Sequence, residues 1–243
     1  MRTGPSLNKP YQIIVTCEHG GNRIPPEYTH LFRGKARLLN SHKSFDYGAA
    51  ELAEMLAGAS GAWCRTSDIS RLLIDLNRSP KHQRLFSRIT GGIPPRDKLR
   101  ILDRYYYPYR TSIEQHIART LRQEKTPLHI AVHTFTPVFE GEKRRADIGL
   151  LYDPARTPEK EFCLRWQKAF GSVNPLLVVR RNYPYLGKTD GLVTYCRKKF
   201  PPGRYVGIEL EVNQKCPRQG GVRWEKLKRD IISSLLSCLQ HGE

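Results

Sequence analysis

The sequence predicts one α/β domain: a largely parallel or mixed central sheet with helices on both faces. Three observations carry that reading. Short apolar runs such as YQIIVTC (11–17), LHIAVHTFTP (128–137) and RYVGIELEVNQ (204–214) break off at Gly, Pro or polar turn residues, as buried strands do. Amphipathic segments at helical spacing lie between them, and such alternation favours a parallel sheet covered by helices. The chain, at 243 residues, is long enough to bury a core without a disulfide or metal staple.

Residues 1–10 are polar with two prolines and read as a flexible N-terminal arm, leaving 11–243 as the single domain. The run at 11–17 is a strand entering the Gly/Pro loop EHGGNRIPPE. Residues 46–59 are a helix, with Ser44 or Asp46 as its natural N-cap. SRLLIDLNR (70–78) reads as a strand. Residues 97–122 read as a helix with a kink at Pro108. Strands follow at 128–137, 146–153, 175–182 and 204–214. Helices are expected at 158–170, with Pro158 in the first turn, and at 222–240. The chain shows neither an internal repeat nor a linker.

Composition excludes several classes. The 12 Tyr, 8 Phe and 3 Trp argue against disorder. No apolar run reaches the roughly 18 residues a membrane helix needs, and the start lacks a signal-peptide core, so a cytoplasmic protein is expected. The six cysteines form no CxxC pair and read as reduced core thiols. The net charge of +18 suggests an anionic partner, but the basic residues are scattered and no nucleic-acid signature is present. Specific nucleic-acid binding is therefore not expected. A non-catalytic basic module binding nucleic acid or another polyanion is the competing reading. The chain lacks a Gly-x-Ser-x-Gly elbow, a Walker loop and a dinucleotide fingerprint.

Ligands of such sheets sit beyond the carboxyl ends of the strands. Glu18, His19, Asn77, Arg78, His133 and Asn213 fall at or just past predicted strand ends. His19 precedes Gly20 and Gly21, which leave room for a ligand beside the backbone. Two imidazoles at neighbouring strand ends can share a zinc ion, whose catalytic sites take three protein ligands. The third ligand stays open. Asn22 is a neutral, poor donor, and Glu18 would point away if the strand continued. Asp46 carries the charge zinc prefers but doubles as a helix cap, and His42 is a ligand or supporting partner. Glu209 and Glu211 point to one face of their strand, and one of them suits a general base. Arg71 is placed to stabilise an oxyanion and Arg78 to fork onto a carboxylate, unless they pair with Asp75. Lys188 and Thr189 lie on a Gly-flanked loop that could bind an anionic substrate or be a plain turn. Cys17 beside His19 could be a nucleophile, but reads better as a buried strand-end thiol.

VTCEHGGNRIP, SHKSFDYGAAELA, SRLLIDLNRSP, AVHTFTP, NYPYLGKTDG and YVGIELEVNQ, in that order, resemble the N-formylglutamate amidohydrolase family from about Tyr11 to Gln214. More distantly the plan is similar to the zinc carboxypeptidases and aspartoacylase, which implies a zinc carboxypeptidase-like fold. The resemblance implies one Zn2+ held by His19 and His133; Asp46 is taken as the third ligand in place of the acid the wider group carries. Glu211, directly before Val212 and Asn213, would be the base, and Arg71 would stabilise the oxyanion. Asn77 and Arg78 would hold a carboxylate of a small anionic N-acyl amino acid such as N-formyl-L-glutamate. The wider group has Glu three residues after its first His; this chain has Asn22 there.

Overall fold

The computed structural model describes residues 11–240, so the predicted arm at 1–10 lies outside the described residues. Its centre is a six-stranded sheet in the order β2-β1-β3-β8-β6-β7. Here β1 is Tyr11–Cys17, β2 Trp63–Thr66, β3 Thr126–Phe135, β6 Ile148–Leu151, β7 Val179–Arg181 and β8 Val206–Asn213. A small hairpin, β4 (Val138–Phe139) with β5 (Glu142–Lys143), stands apart. Neighbours in the sheet run parallel except β6 and β8, so the sheet is mixed. The helices are α1 (Ala36–Leu39), α2 (Ala49–Ser60), α3 (Pro95–Ile101), α4 (Tyr107–Arg122), α5 (Thr157–Val173), α6 (Leu192–Lys199), α7 (Lys215–Gln219) and α8 (Gly221–Gln240).

Strand alternation divides the two faces. Leu128, Ile130 and Val132 of β3 and Val206, Ile208, Leu210 and Val212 of β8 pack with α2, α5 and α8 in one core. The interleaved residues, His129, His133 and Phe135 on β3 with Glu209, Glu211 and Asn213 on β8, point to the opposite face. That face is covered by a second core of Leu73, Ile74, Leu76, Tyr109, Ile113 and Leu192, from the 70–85 loop, α4 and α6. A polar stripe is thus enclosed between two apolar layers.

Several expected elements differ. Residues 70–78 are a series of turns, not a strand. The Leu72 and Asn77 N–H groups donate to Ser70 Oγ and Asp75 Oδ1, both at 3.1 Å. Ser and Asp offer local partners that compete with sheet pairing, while Leu73, Ile74 and Leu76 still reach the core. The expected strand at 175–182 shortens to β7, because Asn174 Oδ1 accepts the Leu176 N–H and Leu176 turns outward. α2 starts after Gly48, at φ 79°, with no side-chain cap, so neither Ser44 nor Asp46 is its N-cap. The helix at 97–122 starts two residues earlier and is interrupted by a π turn at Leu102–Tyr106. The wide turn precedes Pro108, whose ring cannot sit against a regular preceding turn. Among the described residues no helix is long and apolar enough to cross a membrane.

Candidate metal centre

His19 leaves the end of β1, and Asp46 is bound to it through the backbone, its N–H donating to the His19 carbonyl at 2.8 Å. His133 comes from the neighbouring strand β3. The Nδ1 atoms of both rings converge on one Asp46 oxygen, Oδ2, at 3.3 Å from His19 and 2.9 Å from His133. All three side chains are buried, and their candidate ligand atoms lie within 4.8 Å of one another. Each ring is backed by a second carboxylate. His19 Nε2 bonds Asp75 Oδ1 at 2.7 Å. His133 Nε2 lies 3.1 Å from Glu18 Oε2 without the alignment of a hydrogen bond. Glu18 Oε1 accepts the Tyr109 hydroxyl at 2.9 Å. Arg71 spans the two aspartates, Nη2 donating to Asp75 Oδ2 at 3.0 Å and Nη1 to Asp46 Oδ1 at 3.5 Å.

These contacts set the charges. Burial alone would raise Asp46, but the charge and hydrogen bonds of His19 and His133 hold it well below the carboxylate range. Burial likewise opposes ionisation of Asp75, and Arg71 and His19 overcome it. His133 similarly outweighs burial at Glu18 and brings it to about 2. Glu211 goes the other way: burial lifts it to about 8, with Asp46 and Glu209 adding and His133 and Arg71 opposing. Its Oε2 is buried without a hydrogen-bond partner. It stands opposite His133 in the β3–β8 register and opposite Gly149 in the β6–β8 register. A Cβ at Gly149 would run into the Tyr183 carbonyl, so only glycine lets that loop cross beside Glu211.

The donor set fits a divalent metal of the zinc type. Two imidazole nitrogens and one carboxylate oxygen are the three-ligand set of catalytic zinc. A carboxylate hydrogen-bonded to the far nitrogen fixes the tautomer and orientation of His19, and Glu18 backs His133 by charge. The orphaned Glu211 oxygen supplies a polar group facing the same cluster.

Asn22 is not in the cluster; its amide donates to Leu39 O and Asn40 Oδ1, both at 3.0 Å, and His42 is exposed. Glu18 does not point away as strand alternation predicts, because β1 ends at Cys17 and alternation ends with it. Gly20 and Gly21 make room for protein backbone and not for a ligand: a Cβ there would come within 2.8 Å of Ser67 O and 2.6 Å of Asp68 O. Arg78 Nη1 donates to Asp190 O at 3.0 Å, while its Nε, without a hydrogen bond among the described residues, lies 3.8 Å from Asp75 Oδ2 in an ion pair. Asn77 Oδ1 accepts the Leu192 N–H at 2.7 Å and so holds the start of α6. Lys188 and Thr189 lie on an exposed turn, where the Thr189 hydroxyl donates to Leu186 O at 2.9 Å. Burial, then Glu18 and Asp46, push the Cys17 thiol well up, so it carries no thiolate. Tyr109 was not marked by the sequence; its signal is the buried stripe Tyr106, Tyr109, Ile113 and Ile117 along one side of the helical segment. A groove of about 830 Å³ between residues 26–32 and α3 shares no residue with the cluster.

Comparison with curated protein sequences finds no match. Among solved structures, the fold is similar to a gene product of Agrobacterium tumefaciens, at 24% identity and TM-score 0.78, covering 94% of this chain and 90% of that one. It is also similar to N-formylglutamate amidohydrolase from Ralstonia eutropha, at 15% identity and TM-score 0.66, covering 98% and 97%. The family model for N-formylglutamate amidohydrolase matches residues 11–216. That span runs from β1 past β8 and takes in His19, Asp46, His133 and Glu211, and on this match the chain belongs to the N-formylglutamate amidohydrolase family.

Proposed function

We propose that this chain is a metal-dependent amidohydrolase that cleaves the N-acyl amide of an acidic amino acid such as N-formyl-L-glutamate. One observation carries the reading: two histidine Nδ1 atoms converge on one Asp46 oxygen, each ring backed by a carboxylate, with a Glu211 oxygen that makes no hydrogen bond among the described residues beside them. His19, Asp46 and His133 would hold one zinc ion per chain. Bound there, zinc supplies Lewis-acid polarisation of the amide carbonyl and lowers the pKa of water toward neutrality.

The remaining chemistry falls to side chains. Glu211 Oε2 takes a proton from the attacking water, whose oxygen forms a bond to the carbonyl carbon. As the C–N bond breaks, the proton passes from Glu211 to the leaving nitrogen. The products are formate and the free amino acid. Burial raises the Glu211 carboxyl, the direction that favours a group able to accept a proton and give it back. Arg71, 27% exposed and held by Asp75 and Asp46, presents its charge to the oxyanion. Arg78, ion-paired with Asp75 at 3.8 Å but making no hydrogen bond through Nε among the described residues, offers that donor to the carboxylate beside the scissile amide. Asn77 sets the α6 loop, which carries Lys188 and Thr189 at the rim, where Lys188 adds attraction for an anion.

The test is metal analysis of untagged protein together with formate release from N-formyl-L-glutamate. About one zinc per chain is expected, as the three-ligand set implies, with loss in His133→Ala. Formate release should stop on chelation and return with zinc. Folded protein that takes up no zinc on dialysis against it overturns the proposal.

A further inference from the structure

The segment after β3 carries a cation that the mechanism above does not use. Arg144 is half-buried, and among the described residues its side-chain hydrogen bonds go to neutral hydroxyls. Nη1 donates to Tyr185 Oη at 3.2 Å and to Thr136 Oγ1 at 3.4 Å. Its guanidinium carbon stands 4.6 Å from the Phe139 ring centre, 5.1 Å from Tyr185 and 5.7 Å from Phe135. Three rings thus fix the guanidinium in place without neutralising it.

Its position is set by the sheet. Phe135 shares a face with His133, two residues earlier on β3, a step of roughly 7 Å. It pairs with Asn213 as His133 pairs with Glu211. Asn213 Nδ2 donates to Arg144 O at 3.1 Å and Ala146 O at 2.9 Å, which pins the backbone of Arg144 to the end of β8. Tyr185, the partner of the guanidinium, also lies within electrostatic reach of Arg71. Arg144 therefore sits one residue pair farther out than the His133–Glu211 pair. The exposed rings of Phe139 and Tyr185 flank it.

Resting on the hydrolase reading, we infer that Arg144 is a specificity-determining residue that receives the distal carboxylate of an acidic N-acyl amino acid, while Arg78 takes the carboxylate next to the scissile amide. The lengths agree. A glutamate side chain puts its carboxylate on the order of 5–6 Å from the scissile amide, comparable with the step from His133 to Phe135. An arginine held by rings and lacking an acid partner among the described residues can form the paired bonds that carboxylates prefer. The apolar neighbours lie where the methylenes of the substrate would pass, and they dry the ion pair.

The competing role is a staple holding the β4–β5 hairpin to the rim. N-formyl-L-glutamate and its neutral isostere N-formyl-L-glutamine separate the two in zinc-loaded wild type, Arg144→Met and Arg144→Lys. The expected result is that preference for the glutamate compound, read as the ratio of kcat/KM, falls about 10- to 100-fold in Arg144→Met. The loss should lie mainly in KM, with partial rescue in Arg144→Lys. A staple affects both substrates alike, so an unchanged ratio overturns the inference whatever happens to the absolute rates. If wild type cleaves neither compound, the hydrolase reading fails on its own, and the ratio of calorimetric Kd values for the same two compounds decides the role of Arg144 by the same criterion.

Discussion

Asp75→Asn probes the metal centre most sharply, because it leaves every candidate ligand in place. Asp75 accepts from His19 Nε2 at 2.7 Å, from Arg71 Nη2 at 3.0 Å and from the Asn77 N–H at 3.1 Å. Asparagine keeps the volume but turns one acceptor into a donor. If its oxygen stays on His19, its NH2 faces the Arg71 guanidinium; if it flips, His19 loses its anchor. The residue is 5% exposed, so water does little to compensate. A hydrogen bond to a charged group is worth about 1.5–3 kcal/mol. Through its hold on His19 the substitution should therefore weaken zinc binding about 10- to 100-fold, the range found when carboxylates behind metal-bound histidines are removed. The assay is zinc competition against a chromophoric chelator at neutral pH, with His133→Ala as the floor and circular dichroism as the check on folding. Zinc affinity within about twofold of wild type, well under the tenfold that 1.4 kcal/mol represents, in a folded Asp75→Asn protein would refute the claim that this bond sets the ligand.

Glu211→Gln should lower kcat by about 10²- to 10⁴-fold, the usual contribution of a general base, while zinc content stays at the wild-type level; activity within tenfold of wild type removes Glu211 from the proton transfer. Cys17→Ser should retain hydrolysis, since the thiol is buried and pushed well above its usual range; loss of activity in folded, zinc-loaded protein restores a thiol nucleophile. His129, buried between Thr16 and Tyr205, is lowered by burial to about 4. Below an unfolded value near 6.5 the unfolded chain binds the extra proton, so stability falls with pH down to about 4, by roughly 2 kcal/mol between pH 7 and 5. Urea midpoints at the two pH values should show this loss in wild type and a smaller one in His129→Gln; equal losses assign the effect to other groups.

How far the site could be read from sequence depended on how regular the backbone is at each residue. His133, Glu209 and Glu211 lie within β3 and β8, where a period of two fixes their common face before any coordinates. His19 and Asp46 stand at element ends, so position along the chain marked them even though the helix boundary was two to three residues off. What failed was the stretch 70–78. Its apolar spacing imitates a strand because Leu73, Ile74 and Leu76 do enter the core, but Ser70 and Asp75 fold the backbone into turns that a periodicity argument cannot register. The same turns bring Asp75 to His19 across 56 residues of sequence. Tyr109 is 91 residues from Glu18 and meets it only because α4 lies over the sheet. The helical stripe marks Tyr109 as inward-facing, but nothing local pairs it with Glu18 or Asp75 with His19.

The charge balance of the centre points in the same direction as its geometry. Glu18, Asp46 and Asp75 are buried together and ionised, against two guanidiniums, Arg71 on both aspartates and Arg78 at 3.8 Å from Asp75. Burial by itself would drive His133 neutral, yet its hydrogen bond to Asp46 and the proximity of Glu18 raise it well above its ordinary value, so a proton is held where the carboxylates converge. Buried ion clusters are poor stabilisers, because desolvation offsets most of the Coulomb gain. A chain with apolar layers on both sides of this stripe had a cheaper alternative in leucine and valine. The cluster therefore reads as a receptor for positive charge. Glu211 completes the asymmetry: it is the acid that no cation partners directly, and it alone of the four is pushed up, to about 8. Carboxylates separated in this way within one enclosed site support the proposed division between those that would hold a charge and one that would move a proton.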